Sequence, residues 1–173
     1  MKSVRFMCLA VIAGLISTVA ARAQEAPKPG PEHEMLKKME GTWEATMKFG
    51  GMESKGTAVY KMDLGGLWLT TSFEGEAFGA KFTGRGLDSY DPAKKKFVGV
   101  WVDSMSTAPM LLEGTYDKEK KTFTMSGEGP GMDGKTTKYK AVNEHKDDNT
   151  VIFTMYMGDD KDPAFVITYK RKK

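Results

Sequence analysis

Residues 96–107 read KFVGVWVDSMST. Successive side chains of an extended chain point to opposite faces. Phe97, Gly99, Trp101 and Asp103 therefore share one face, and Val98, Val100 and Val102 share the other. Apolar groups on both faces predict a strand buried on both sides, or one that curls across a core. The run ends in Asp103-Ser104-Met105-Ser106-Thr107, small polar groups suited to lining an opening.

Outward from this stretch the same period of two recurs, with one apolar face per segment. Trp43, Ala45, Met47 and Phe49 alternate with Thr42, Glu44, Thr46 and Lys48, and Gly50-Gly51 supplies a hairpin turn. Ala58, Tyr60 and Met62 alternate with Thr57, Val59 and Lys61, and Phe82, Gly84 and Gly86 with Lys81, Thr83 and Arg85. Asp88 to Lys95, DSYDPAKK, reads as a turn around Asp-Pro, and His145 to Asn149 as a charged turn. Further strands are predicted over 67–76, 110–116, 122–128, 136–144, 151–157 and 165–170. About ten short strands joined by hairpins indicate an antiparallel up-and-down meander, and closure into a barrel removes its two raw edges. The predicted outer face carries Glu44, Lys48, Lys55, Lys61, Lys81 and Arg85, so the barrel is expected to be soluble rather than an outer-membrane one. Glu32 to Glu40 reads as a short amphipathic helix with Met35, Leu36 and Met39 as its apolar stripe.

Residues 1–23 stand apart. A basic start, an apolar run from Phe6 to Ala20 and Ala21-Arg22-Ala23 read as a secretory signal peptide cleaved before Gln24. The expected location is periplasmic or secreted, with no transmembrane segment after cleavage. Residues 24–31, QEAPKPGP, read as a disordered leader, and 32–173 as one β-barrel domain. Three of the 26 Lys and Arg residues lie in the signal, Lys2, Arg5 and Arg22, which leaves the mature chain formally neutral against its 23 Asp and Glu. Nucleic-acid binding thereby loses its electrostatic support. The one cysteine, Cys8, also lies in the signal, so the exported domain has no disulfide and depends on its core.

The chain resembles a known family. Gly41-Thr42-Trp43, following a short helix and opening the first strand, is similar to the Gly-x-Trp signature of lipocalin-like (calycin) barrels. That resemblance implies that Trp43 closes the bottom of the barrel. A longer run of matches resembles the bacterial family DUF1579. It comprises Leu64-Gly65-Gly66 followed by Trp68-Leu69, Tyr90-Asp91, the segment Trp101 to Thr107, Glu113-Gly114-Thr115-Tyr116-Asp117, and Ile167 to Arg171. The resemblance implies a lipocalin-like barrel and no established activity.

Eleven of the 13 methionines belong to the mature chain. Flexible, polarizable Met side chains suit a pocket for varied apolar ligands. A barrel of this strand number is wide enough for a cavity, and Gly84, Gly86 and Gly99 are expected to leave room inside it. The candidate ligand-binding residues are Tyr60, Phe82, Trp101, Asp103, Met125, Phe153 and Met155. Asp103 has two readings, a carboxylate facing a ligand at the mouth or a cap on its own turn. No His accompanies Ser104, Ser106 or Thr107, so no nucleophilic serine is implied. His33 in the helix and His145 in a turn give no lumenal haem ligand. Met155-Tyr156-Met157 and Asp159, Asp160 and Asp162 read as core and solvated hairpin rather than as metal sites, so neither a metal nor a cofactor is implied.

The leading expectation is an exported barrel that binds a small apolar or amphipathic molecule in its lumen. Two alternatives stand beside it. One is an enzyme, an isomerase or hydrolase with Asp103 as general base in the cavity. The other is a packed barrel serving protein–protein contact through a patch on Leu67, Leu69 and Phe73.

Overall fold

A computed structural model of the chain describes residues 26–77, 79–131 and 133–173. The predicted signal peptide lies outside the described residues. A seven-residue helix α1 (Pro31–Lys37) leads into ten strands: β1 (Gly41–Phe49), β2 (Met52–Asp63), β3 (Trp68–Ala77), β4 (Ala80–Asp91), β5 (Lys96–Asp103), β6 (Met110–Asp117), β7 (Thr122–Pro130), β8 (Thr136–Asp147), β9 (Thr150–Met157) and β10 (Phe165–Arg171). Each strand pairs antiparallel with its neighbours in sequence, and β1 pairs with β10 to close the barrel. The closing register runs from Trp43 opposite Arg171 to Lys48 opposite Val166. Closure leaves no open edge, as the one-sided hydrophobic pattern requires.

The helix is shorter than the stripe Met35, Leu36, Met39 predicts. Pro31 opens it, where a missing N–H costs nothing. Glu32 and Glu34 sit in its first turn and Lys37 in its last, in the sense the helix dipole favours. The Nδ1 atom of His33 accepts the Gly30 N–H at 3.0 Å, so the buried imidazole fixes the helix start. In the leader, Pro29 rests over Gly66, where an added Cβ would come 3.1 Å from its ring.

Strand directions alternate, so one end of the barrel gathers the start of β1 and the end of β10, close to α1. This end is closed. Trp43 is 1% exposed there, and Leu36 and Met39 join it in one core cluster with Ala58, Leu69, Phe97, Val151 and Tyr169. The opposite end carries the β5–β6 loop, the β7–β8 turn and the β9–β10 loop, and forms the mouth.

Three expectations change here. The segment Asp88–Asp91 is not a turn but the last third of β4, and the turn begins only at Pro92. His145 likewise belongs to β8, which runs on to Asp147 through an irregularity between the two residues. The outer face of β5 is not uniformly buried, because Val102 is 45% exposed beside half-buried Val98 and Val100. β5 is therefore an ordinary barrel strand whose outer face happens to be apolar.

Candidate functional site

Parity decides what lines the lumen. The interior contains a cavity of about 560 Å³ reaching from Leu36 and Met39 at the closed end to Met105, Ser106 and Ala108 at the mouth. Its size falls in the usual range for small-molecule sites. All seven predicted ligand-binding residues, Tyr60, Phe82, Trp101, Asp103, Met125, Phe153 and Met155, are on its wall. Met47, Phe49 and Phe123, also predicted inward, line it as well. Trp43 does not line the cavity. It plugs the closed end, where its indole N–H donates to the Met39 carbonyl at 2.7 Å and the Arg171 guanidinium lies 4.2 Å from the ring centre.

Trp101 stands near the mouth on a bed of glycine. An added Cβ on Gly84 would fall 2.2 Å from the Trp101 ring, and one on Gly86 would fall 3.2 Å from it. These glycines thus make room for the indole rather than for a ligand. The indole N–H donates to Asp103 Oδ2 at 3.0 Å, and Asp103 Oδ1 accepts the Met105 N–H at 2.9 Å. Both oxygens of Asp103 are engaged by its own strand and loop. It caps the turn and orients Trp101, and an enzyme built on it would lack a free carboxylate. Across the mouth, burial and the Asp103 charge raise the Tyr139 phenol, whose hydroxyl donates to the Pro130 carbonyl at 2.5 Å.

The carboxylate that the lumen does hold is Asp88, which lay in the segment expected to turn. Asp88 faces Gly99 across the β4–β5 ladder, and its Oδ1 occupies the place a Gly99 Cβ would need, 2.5 Å away. Gly99 thus admits the carboxyl group. Burial raises Asp88 from the ordinary 3.8 to about 7, with no hydrogen bond or opposite charge among the described residues to offset it. Two tyrosines stand near it. Tyr60 and Tyr169 meet edge to face at 6.3 Å and share a hydrogen bond between their hydroxyls. Burial pushes Tyr169 up to about 12 and Tyr60 well above its usual value. The sequence contained a usable signal: Phe82, Gly84 and Gly86 were read as inward, and two more steps of the same parity reach Asp88 and Tyr90.

At the closed end Phe97 and Phe123 pack edge to face at 4.9 Å, and Phe123 lies 5.9 Å from the His145 ring. His145 lines the lumen here, contrary to its expected place in a turn. Its Nε2 is buried without a partner among the described residues, and burial, Lys38 and Arg171 lower its pKa. The imidazole is therefore neutral at physiological pH. Met155 and Met157 share the inner face, and among the described residues no three His, Cys, Asp or Glu come together as a metal site. Leu69 and Phe73 are each 3% exposed and line the lumen, so Leu67, Leu69 and Phe73 do not form the surface patch that would have favoured the protein-contact alternative.

The fold and cavity define a closed ten-stranded antiparallel barrel with a largely apolar interior. The chain belongs to the family described as "Protein of unknown function (DUF1579)", whose family model matches residues 28–171. No curated protein matches it. Among solved structures, the S-type phycobiliprotein lyase CPES from Guillardia theta is similar in fold, with a TM-score of 0.57 and 11% identity. That match covers 82% of this chain and 93% of the lyase. A redesigned β barrel, mFAP1, bound to DFHBI also matches, at 14% identity and a TM-score of 0.45, over 79% of this chain and 98% of the design.

Proposed function

We propose that this protein is an exported barrel that binds a small apolar or amphipathic molecule in its lumen, with entry beside the Asp103–Ala108 loop. The observation that carries the reading is the cavity of about 560 Å³, walled by Phe82, Trp101, Met125, Phe153 and Met155 and opening at that loop. A packed barrel of this strand number would have filled the same space with side chains. Affinity comes from apolar burial, about 25 cal/mol per Å² before the entropic costs of binding. Export rests on the basic start, apolar run and Ala-x-Ala site of residues 1–23.

Displacement of a neutral lipophilic dye tests the lumen. The dye is expected to bind one molecule per chain and to be released by medium-chain alcohols. Substitution of Met125 by Trp, which projects bulk into the cavity, is expected to weaken the dye at least tenfold (about 1.4 kcal/mol). Absence of saturable dye binding by the wild type overturns the reading. Export is tested by the mass of the protein recovered from the periplasm or medium, expected to begin at Gln24.

A further inference from the structure

Among the described residues, the lumen below its mouth carries a single carboxylate, and none of its lining residues is Lys or Arg. Asp88 lies among apolar groups, over Gly99 and next to Met125, whose methyl is 3.4 Å from the same Gly99 position. The groups that face this space from other strands are few. Tyr60 on β2 and Tyr169 on β10 bond to each other. Asp103 on β5 is held by Trp101 and Met105. Tyr139 on β8 is held by the Pro130 carbonyl, and His145, also on β8, is neutral at pH 8 at the closed end. Among the described residues, no hydrogen-bond donor or cation meets the Asp88 carboxylate. Asp88 is half-buried, its carboxylate open to the cavity rather than sealed in the wall, and a carboxylate left without a partner in an apolar cavity is costly unless something else completes it.

We infer that the lumen takes an amphipathic amine, its protonated nitrogen on Asp88 and its apolar body running past Met125 and Phe82 toward Trp101 and the mouth. This inference rests on the proposed lumenal binding and adds the chemistry of the ligand's head. An ammonium supplies the missing counter-charge and up to three donors. A fatty-acid carboxylate meets no cation here and a like charge instead. An alcohol gains only the apolar burial and one ordinary hydrogen bond. Opposite charge favours the ionised form of Asp88, so amine binding strengthens as the carboxyl deprotonates between mildly acidic and mildly basic pH.

The test is competition against a neutral lipophilic dye, using decylamine, 1-decanol and decanoate, with tails of one length and different heads. At pH 8 decylamine is expected to bind about tenfold or more tighter than decanol, the worth of one charge-assisted contact, and decanoate weakest. Lowering the pH to 5.5 is expected to shrink the amine's margin to about threefold or less, since each pKa unit crossed is at most a tenfold change. Asp88→Asn is expected to abolish the margin at pH 8. If decanol displaces the dye but decylamine binds no better at pH 8, or if decanoate binds tightest, the amine inference is wrong while lumenal binding stands. If the dye itself does not bind, both fall. Should the variant not fold, the wild-type pH series decides alone: a margin independent of pH overturns the inference.

Discussion

At the closed end of the barrel, Arg171 donates to the carbonyls of Glu40, Lys38 and Asp148 and stacks over Trp43. The first two of these contacts join residues 131 and 133 positions apart. At the mouth, the Asp103 carboxylate accepts, among the described residues, only from Trp101 and Met105, each two positions away. One end is tied by the two termini of the domain, and its loss would release β1 from β10. The other is a local arrangement of strand and loop that can rearrange without opening the sheet. Stability is therefore concentrated away from the proposed entry, and adaptability beside it.

The sharpest way to break this contrast is at Trp43. Trp43→Ala removes a side chain that is 1% exposed, its hydrogen bond to Met39 and its stacking with Arg171. A loss of about 3–5 kcal/mol is expected, read as a lower urea midpoint. A loss below about 1 kcal/mol, within the range of ordinary surface substitutions, would show that the closed end does not anchor the barrel.

Between the two ends lies Asp88, and its effect depends on pH. Its folded pKa of about 7 exceeds the ordinary 3.8, so ionisation is harder in the fold than in the unfolded chain. Below about pH 3.8 both states hold the proton and the group is neutral in its effect. As pH rises from there the unfolded chain ionises first, and stability falls until the folded carboxyl has also ionised, near pH 7. Asp88→Asn is thus expected to stabilise the free protein by about 3–4 kcal/mol at pH 8.5 and by little near pH 4. Chemical denaturation at the two pH values checks it. An increment equal at both would mean that the carboxylate is solvated in the free barrel.

What was legible in the sequence follows the same division. Alternation along β1, β2, β5 and β10 is enforced by a wall with one wet face, so the strands and their inward residues could be read. Strand ends could not, because a strand that closes over a lumen can carry polar residues inward. Asp88 and His145 are inward yet polar, and the Asp-Pro and Lys-Asp-Asp clusters beside them look like turn chemistry. Glycine also had two meanings. Gly84 and Gly86 seat an indole and Gly99 seats a carboxyl, contacts fixed by neighbouring strands rather than by local sequence.

Gly84 offers a smaller perturbation that moves the mouth alone. The Cβ of Gly84→Ala would fall 2.2 Å from Trp101, so the ring must shift. A cost of about 1–3 kcal/mol is expected, with a change in Trp fluorescence and an altered dye affinity. Unchanged fluorescence and affinity would show that Trp101 is not seated on this glycine.

The smallest effect belongs to Asp103. Asp103→Ala removes the acceptor of the Trp101 indole and of the Met105 amide, both close to solvent. Water replaces much of what is lost, so a destabilisation of about 1 kcal/mol is expected, a fall in Tm of about 2–4 °C for a domain of this size. Trp101 should become more mobile, which steady-state anisotropy of a variant lacking the other two tryptophans would register if that variant folds. If it does not fold, 19F NMR of fluorotryptophan-labelled protein reads the same ring. Dye affinity is expected to change by about threefold at most, because in the proposed site apolar burial rather than this carboxylate supplies the affinity. A loss of binding larger than that would move the decisive carboxylate from Asp88 to the mouth, and with it the ligand's polar head.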